Sequence, residues 1–174
     1  RHELLVRLGE ALMDSPLVRA IFHGERAERV LRDAWLKASI TLIERTPTAQ
    51  FPALVEHLRL RGDLTPRFLI RALAHGKVDF FGAALVALTG YPHERVGELV
   101  ANGFDTALFA LFRRAGLPER TFAVMQRALV IWRDVARGRR VAGPQEVSWL
   151  MLKELDDDGG DLAAMLKAVH LEAL

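Results

Sequence analysis

The sequence predicts an all-α fold in which tandem short helical hairpins pack as a compact solenoid or an irregular helical bundle. Three observations carry this: helix-start and helix-stop residues recur along the whole chain, apolar residues between them keep helical spacing, and prolines recur at a fixed 26-residue interval. No stretch alternates with a period of two and β-branched enrichment, so no sheet is expected.

Taken in order, Ser15-Pro16, Thr46-Pro47 and Thr65-Pro66 each set a hydroxyl before a proline. A hydroxyl can cap the free N–H groups of a helix, and proline loses nothing at the first helical position, so each pair predicts a helix start. Glycines at 24, 62, 76, 90, 103, 116 and 138 fall where apolar periodicity stops and predict left-handed residues after helix ends. Leu31, Trp35, Ala38 and Leu42 mark one amphipathic helix, and Phe80, Phe81, Ala84, Leu85 and Leu88 mark another. The longest, over roughly 118–138, carries Phe122, Met125, Leu129, Trp132 and Ala136 on one face.

Pro66, Pro92, Pro118 and Pro144 stand 26 residues apart. Between the first two units Leu73 matches Leu99, Val78 matches Phe104, Asp79 matches Asp105, Leu85 matches Leu111 and Gly90 matches Gly116. Each unit reads as a short helix, a turn, a second helix capped by Asp79 or Asp105, and a glycine stop, with Pro66, Pro92 and Pro118 each expected in the first turn of a helix. The third unit lacks the central turn and fuses its helices, and the fourth turns at Asp158-Gly159-Gly160-Asp161, with Asp161 capping the final helix. Hairpins this short cannot bury their apolar faces alone and must pack on one another. We expect one helical domain over 1–174, with N-terminal helices in 1–62, repeat-like hairpins and the long helix in 63–143, and a helical pair in 144–174.

Composition agrees with a folded domain: 51% of the 174 residues are hydrophobic and 26% charged, with mean hydropathy +0.12. The absence of cysteine excludes disulfides, thiolate metal sites and sulfur nucleophiles. The longest stretch without Asp, Glu, Lys or Arg around Phe80–Pro92 is broken by Gly82 and Gly90 and is too short to span a bilayer, which takes roughly 20 apolar residues. Because residue 1 is Arg, the chain reads as an excerpt or a processed form.

The pI near 9.4 is not the mark of a polyanion binder, since 24 basic and 22 acidic residues leave only +2. Charge is nevertheless segregated: residues 113–140 hold eight Arg and two acids, whereas residues 144–174 hold two Lys and seven acids.

Leu64-Thr65-Pro66, Leu73-Ala74-His75-Gly76, Asp79-Phe80-Phe81, Gly90-Tyr91-Pro92 and Phe112-Arg113-Arg114-Ala115-Gly116-Leu117-Pro118 together resemble the pattern of bacterial domain-of-unknown-function family 2336. The likeness is densest from about 63 to 118. It implies an all-helical, HEAT-like cytoplasmic protein, with no agreed activity and no catalytic residue to transfer.

Sites read from the residues are few. The six histidines (2, 23, 57, 75, 93, 170) lack metal-ligand spacing; His75, before Gly76, is expected to bond helix-end carbonyls through its ring, and the others to lie at the surface. Counting from Asp156, the twelfth position is Lys167 where an EF-hand needs a bidentate Glu. Phosphate-binding glycine loops are absent, and Ser15, Ser39 and Ser148 lie in no nucleophile elbow. The expectation is a protein that is not an enzyme and takes no cofactor or metal.

Arg113, Arg114, Arg120, Arg127, Arg133, Arg137, Arg139 and Arg140 form the one constellation that could carry chemistry. On a helical projection Arg133 and Arg137 lie together, Arg120 and Arg127 lie about a third of a turn away, and Glu119 and Asp134 fall between them, a mixed face. It is expected to be solvated or paired with the acidic C-terminal segment. The leading functional expectation is a helical-repeat protein-interaction or scaffold module, with nucleic-acid binding through Arg113–Arg140 as the alternative. Its partner-binding candidates are Phe80, Phe81, Phe109 and Phe112, on a groove or face within 66–117 that accepts a partner helix or a second copy of the chain, together with Arg133 and Arg137.

Overall fold

The computed structural model describes residues 25–155 and 160–172, and it resolves into two compact units, residues 1–39 and 40–174. The expected start at Ser15-Pro16 and the turn at Asp158-Gly159 lie outside the described residues. Helix α1 (Glu25–Arg45) is followed by α2 (Phe51–Leu60), α3 (Pro66–Ala74), α4 (Val78–Thr89), α5 (His93–Asn102), α6 (Asp105–Arg114), α7 (Phe122–Ala136), α8 (Pro144–Leu152) and α9 (Asp161–Glu172). Single 3-10 turns at Thr48–Gln50 and Glu119–Thr121 lead into α2 and α7. The described residues contain no strand, as the sequence predicts.

In the first unit, residues 25–39 are helical, and Ser39 turns its hydroxyl back to the Trp35 carbonyl at 2.8 Å. The second unit is built around α3. Thr65 caps it by accepting the Phe68 N–H at 3.2 Å, Pro66 takes the first helical position, and every residue from Phe68 to Ala74 is buried. A helix buried all round must be the centre of its layer. Accordingly α3 packs against α4, α7, α8 and α9. In an open stack each hairpin would touch only its neighbours. Here the first hairpin of the repeat reaches the last, so α3 sits inside a closed arrangement.

The helix stops follow local chemistry closely. After α3 the N–H of Gly76 bonds the Leu73 carbonyl and that of Lys77 the Ala72 carbonyl, both at 2.9 Å, with Gly76 at φ +73. This paired closure recurs at Gly62, Gly116 and Gly138. Pro144 stands in the first turn of α8, and the third unit forms the single fused helix α7.

Several local expectations are corrected. Thr46 does not start a helix; its hydroxyl bonds the Leu42 carbonyl at 2.8 Å and closes the end of α1. Asp79 and Asp105 lie within the first turns of α4 and α6 and cap neither; a carboxylate there favours the helix dipole, and Asp105 also accepts from Gln126 at 2.8 Å. Pro92 and Pro118 stand one residue before their helical turns. Gly103 is not left-handed (φ −60, ψ 140). Asp161 begins α9 in its first turn.

Candidate functional site

The aromatic candidates go inward. Phe80, Phe81 and Phe112 have no exposed surface. Phe80 meets Phe51 and Phe68 edge-on at 5.6 and 5.7 Å between ring centroids, while Phe112 meets Phe81 and Phe122 at 6.1 and 5.6 Å. Phe109, half-buried, lies 5.4 Å from Phe122. These rings join α2, α3, α4, α6 and α7, and edge-on pairs of this kind add about 0.5–1.5 kcal/mol each beyond their burial. Buried on all sides, Phe80, Phe81 and Phe112 are core residues and cannot anchor a partner. The exposed aromatic of this region is Phe104, 84% accessible.

What the hairpins do enclose is a groove of about 1050 Å³ within the second unit, at the upper end of ordinary binding-pocket size. Helix α4 contributes Gly82, Ala83, Val86 and Ala87, and α5 contributes Val96, Gly97, Val100 and Ala101. The two quartets share one spacing: i, i+1, i+4 and i+5 put each on a single helix face. The third wall is α7, through Leu129, Trp132 and Ala136. Trp132 is locked by its indole N–H, which donates to the Leu73 carbonyl at 2.6 Å. Its ring also lies against Gly76, where an added Cβ would sit 3.2 Å from it.

Gly82 and Gly97 behave differently from Gly76. Both stand inside helices at ordinary backbone angles, and outside their own helix backbone no atom of the described residues lies within 4 Å of where a Cβ would be. A helix-interior glycine costs about 1 kcal/mol relative to alanine, and neither position returns that through packing within the chain. Both look into the groove.

Arg133, in the last turn of α7, and Arg137, just past its end, line the groove, and both are engaged inside the chain. Arg133 donates from Nε to the Val100 carbonyl at 2.7 Å, from Nη2 to that of Leu99 at 2.9 Å and from Nη1 to that of Gly103 at 3.1 Å. It therefore occupies the C-terminus of α5, where unpaired carbonyls and the negative end of the helix dipole favour a cation. Burial and then the neighbouring Arg137 pull its pKa below the usual arginine value, with Asp105 opposing. The expectation of an arginine pair turned to solvent or to the acidic tail is corrected for Arg133: its partners are backbone carbonyls. Arg137, exposed, donates only through Nη2, to the Ala101 carbonyl and to Asn102 Oδ1 at 3.2 and 2.8 Å.

Elsewhere in the cluster, Arg127 and Arg140 do reach the acidic segment, at Glu154 (3.6 Å) and Glu146. Arg113 pairs with Glu119 at 2.8 Å, and Arg114 lies over the Tyr91 ring while donating to the Thr89 carbonyl. His75 is not a ring cap: its backbone N–H bonds the Arg71 carbonyl at 3.1 Å, and its buried Nε2 has no partner among the described residues. Burial and the nearby Arg71 push its pKa down to about 4. His170 is half-buried, its Nδ1 2.9 Å from the Gln145 carbonyl. Among the described residues no three His, Asp or Glu side chains converge as a metal site, and no helix is long and apolar enough to cross a membrane.

Fold and groove together define an all-helical protein with a solvent-open apolar cleft between three helices and two guanidinium groups at its wall. The chain belongs to the family described as uncharacterised protein conserved in bacteria (DUF2336), which matches residues 1–158. No curated protein and no solved structure matches it. Of the lining, the sequence pointed to Arg133 and Arg137 but not to the small residues of α4 and α5, although a signal existed: Gly82 and Gly97 interrupt apolar helix patterns without ending them.

Proposed function

We propose that the protein is a non-enzymatic cytoplasmic interaction module that docks an apolar helix of a partner protein in the groove between α4, α5 and α7. In this reading α3–α4 and α5–α6 are two copies of one hairpin whose packing leaves the cleft between them. The observation that carries it is the pair of helix-interior glycines, Gly82 and Gly97, facing an apolar cleft that the described residues leave unfilled. Small residues in ranks of i, i+1, i+4 and i+5 form the shallow ridges into which a further helix can settle, and apolar grooves of this kind commonly receive amphipathic helices.

The nucleic-acid alternative draws less support. Arg113, Arg127 and Arg140 face carboxylates of the chain, and Arg133 faces backbone carbonyls, so the basic segment does not present a common face to phosphates.

Gly97→Leu tests the reading. A Cβ there meets no atom of the described residues outside its own helix, and a leucine side chain projects into the groove. A partner retained from the native host by the parent chain and lost by a folded Gly97→Leu variant is the expected result. Equal retention by both would overturn it, and light scattering of the two proteins shows whether the occupant is a second copy.

A further inference from the structure

We propose that the helix accepted by the groove carries an acidic side chain, which Arg137 reads; this rests on the groove being the docking site. The titratable residues lining the groove are Asp79, His93, Arg133 and Arg137. Counting the histidine as neutral, the wall is net positive, and both cations come from the C-terminal end of α7, Arg133 in its last turn and Arg137 just past Ala136.

The two arginines are not equivalent. Arg133 spends all three of its nitrogens on the Leu99, Val100 and Gly103 carbonyls and is fixed as the end-cap of α5. Arg137 is exposed, and both of its hydrogen bonds leave from Nη2, toward Ala101 and Asn102. Those two contacts occupy Nη2 and hold the guanidinium beside the α5 end of the groove, while its Nε–H and Nη1–H donors, which point to different sides, remain for an outside acceptor. A pre-positioned guanidinium with a free N–H suits a carboxylate oxygen, because a hydrogen bond between two charged groups is shorter and stronger than a neutral one. The rest of the lining, apolar or small apart from Thr48 and Asn102, offers the occupant's stripe no polar competition. The occupant is thus an amphipathic helix with small or aliphatic residues on the docking face and Glu or Asp where that face passes Arg137.

The test uses a display library of short amphipathic peptides with a fixed apolar stripe and flanking positions randomised among Glu, Lys and Gln, selected on the whole chain. The expected result is enrichment of Glu at one flank. Binding should fall by at least about tenfold on Arg137→Gln and reverse toward Lys on Arg137→Glu, tenfold corresponding to about 1.4 kcal/mol. Arg137→Gln keeps a side-chain amide for the α5 carbonyls, so its loss of selectivity cannot come from an unfolded helix end. Enrichment that Gly97→Leu abolishes but that shows no Glu preference, or no response to either Arg137 variant, would overturn the role of Arg137 and leave the groove reading standing. Enrichment absent on the parent chain, or unchanged on Gly97→Leu, would overturn the groove reading itself.

Discussion

The guanidinium of Arg133 donates to the carbonyl of Gly103 at 3.1 Å, and through that contact the last turn of α7 holds the point where α5 ends. Two further carbonyls of the same helix end, at Leu99 and Val100, converge on the same side chain. One residue thereby closes a helix, joins two walls of the groove and keeps its own charge partly buried.

Arg133→Met should destabilise the protein by about 2–4 kcal/mol, because hydrogen bonds to a charged group contribute about 1.5–3 kcal/mol each and three carbonyls lose their donor together. Arg133→Lys should recover little, since one ammonium cannot span the fork. Arg137→Ala, at an exposed position, should cost no more than about 1 kcal/mol. Urea unfolding of the three variants checks the ranking; an Arg133→Met variant as stable as Arg137→Ala would remove the capping role.

Gly82→Ala and Gly97→Ala should each raise stability by about 0.5–1 kcal/mol, since the added methyl meets nothing and helix entropy improves. Thermal melting reads this directly. A fall in melting temperature would mean that the two faces are not free.

Gly103→Ala should act in the opposite sense. Its Cβ would stand 2.4 Å from the Leu99 carbonyl oxygen, a backbone atom that Arg133 also holds, so the helix end must shift at a cost of about 1–3 kcal/mol. Hydrogen exchange should localise the loosening to the last turn of α5, and uniform protection in the variant would contradict it.

His75 sets an acid limit. Its folded-state pKa of about 4 lies below the usual 6.5, so the unfolded chain binds the proton more readily than the native one. Stability attached to the neutral ring is therefore complete above pH 6.5 and is lost as pH falls toward 4. The loss should be on the order of 2 kcal/mol, discounted for the part of the ring that water reaches. Replacing His75 by Gln should flatten that part of the stability-pH curve; an unchanged slope would assign the acid lability to carboxylates.

The sequence by itself determined the helices and their ends, because those depend on neighbours within a turn or two: Thr65-Pro66 starts α3, Gly62, Gly76, Gly116 and Gly138 close helices in left-handed conformation, and the missing central turn fuses α7. Where two local solutions competed, the chain could not decide; Thr46 serves the helix before it, and Asp79 and Asp105 fall inside the turns they were expected to cap. Only the tertiary structure decided which way each face points. Phe80, Phe81 and Phe112 are as apolar as any docking residue, but their neighbours come from α2, α3 and α7, and contact with those helices turns them into core. Arg133 reads as a surface charge until α7 crosses the end of α5, 34 residues earlier at Leu99, and supplies it with carbonyls. The groove likewise exists only because three helices meet around small residues, and a periodicity of 3.6 carries no information about which helix will face which.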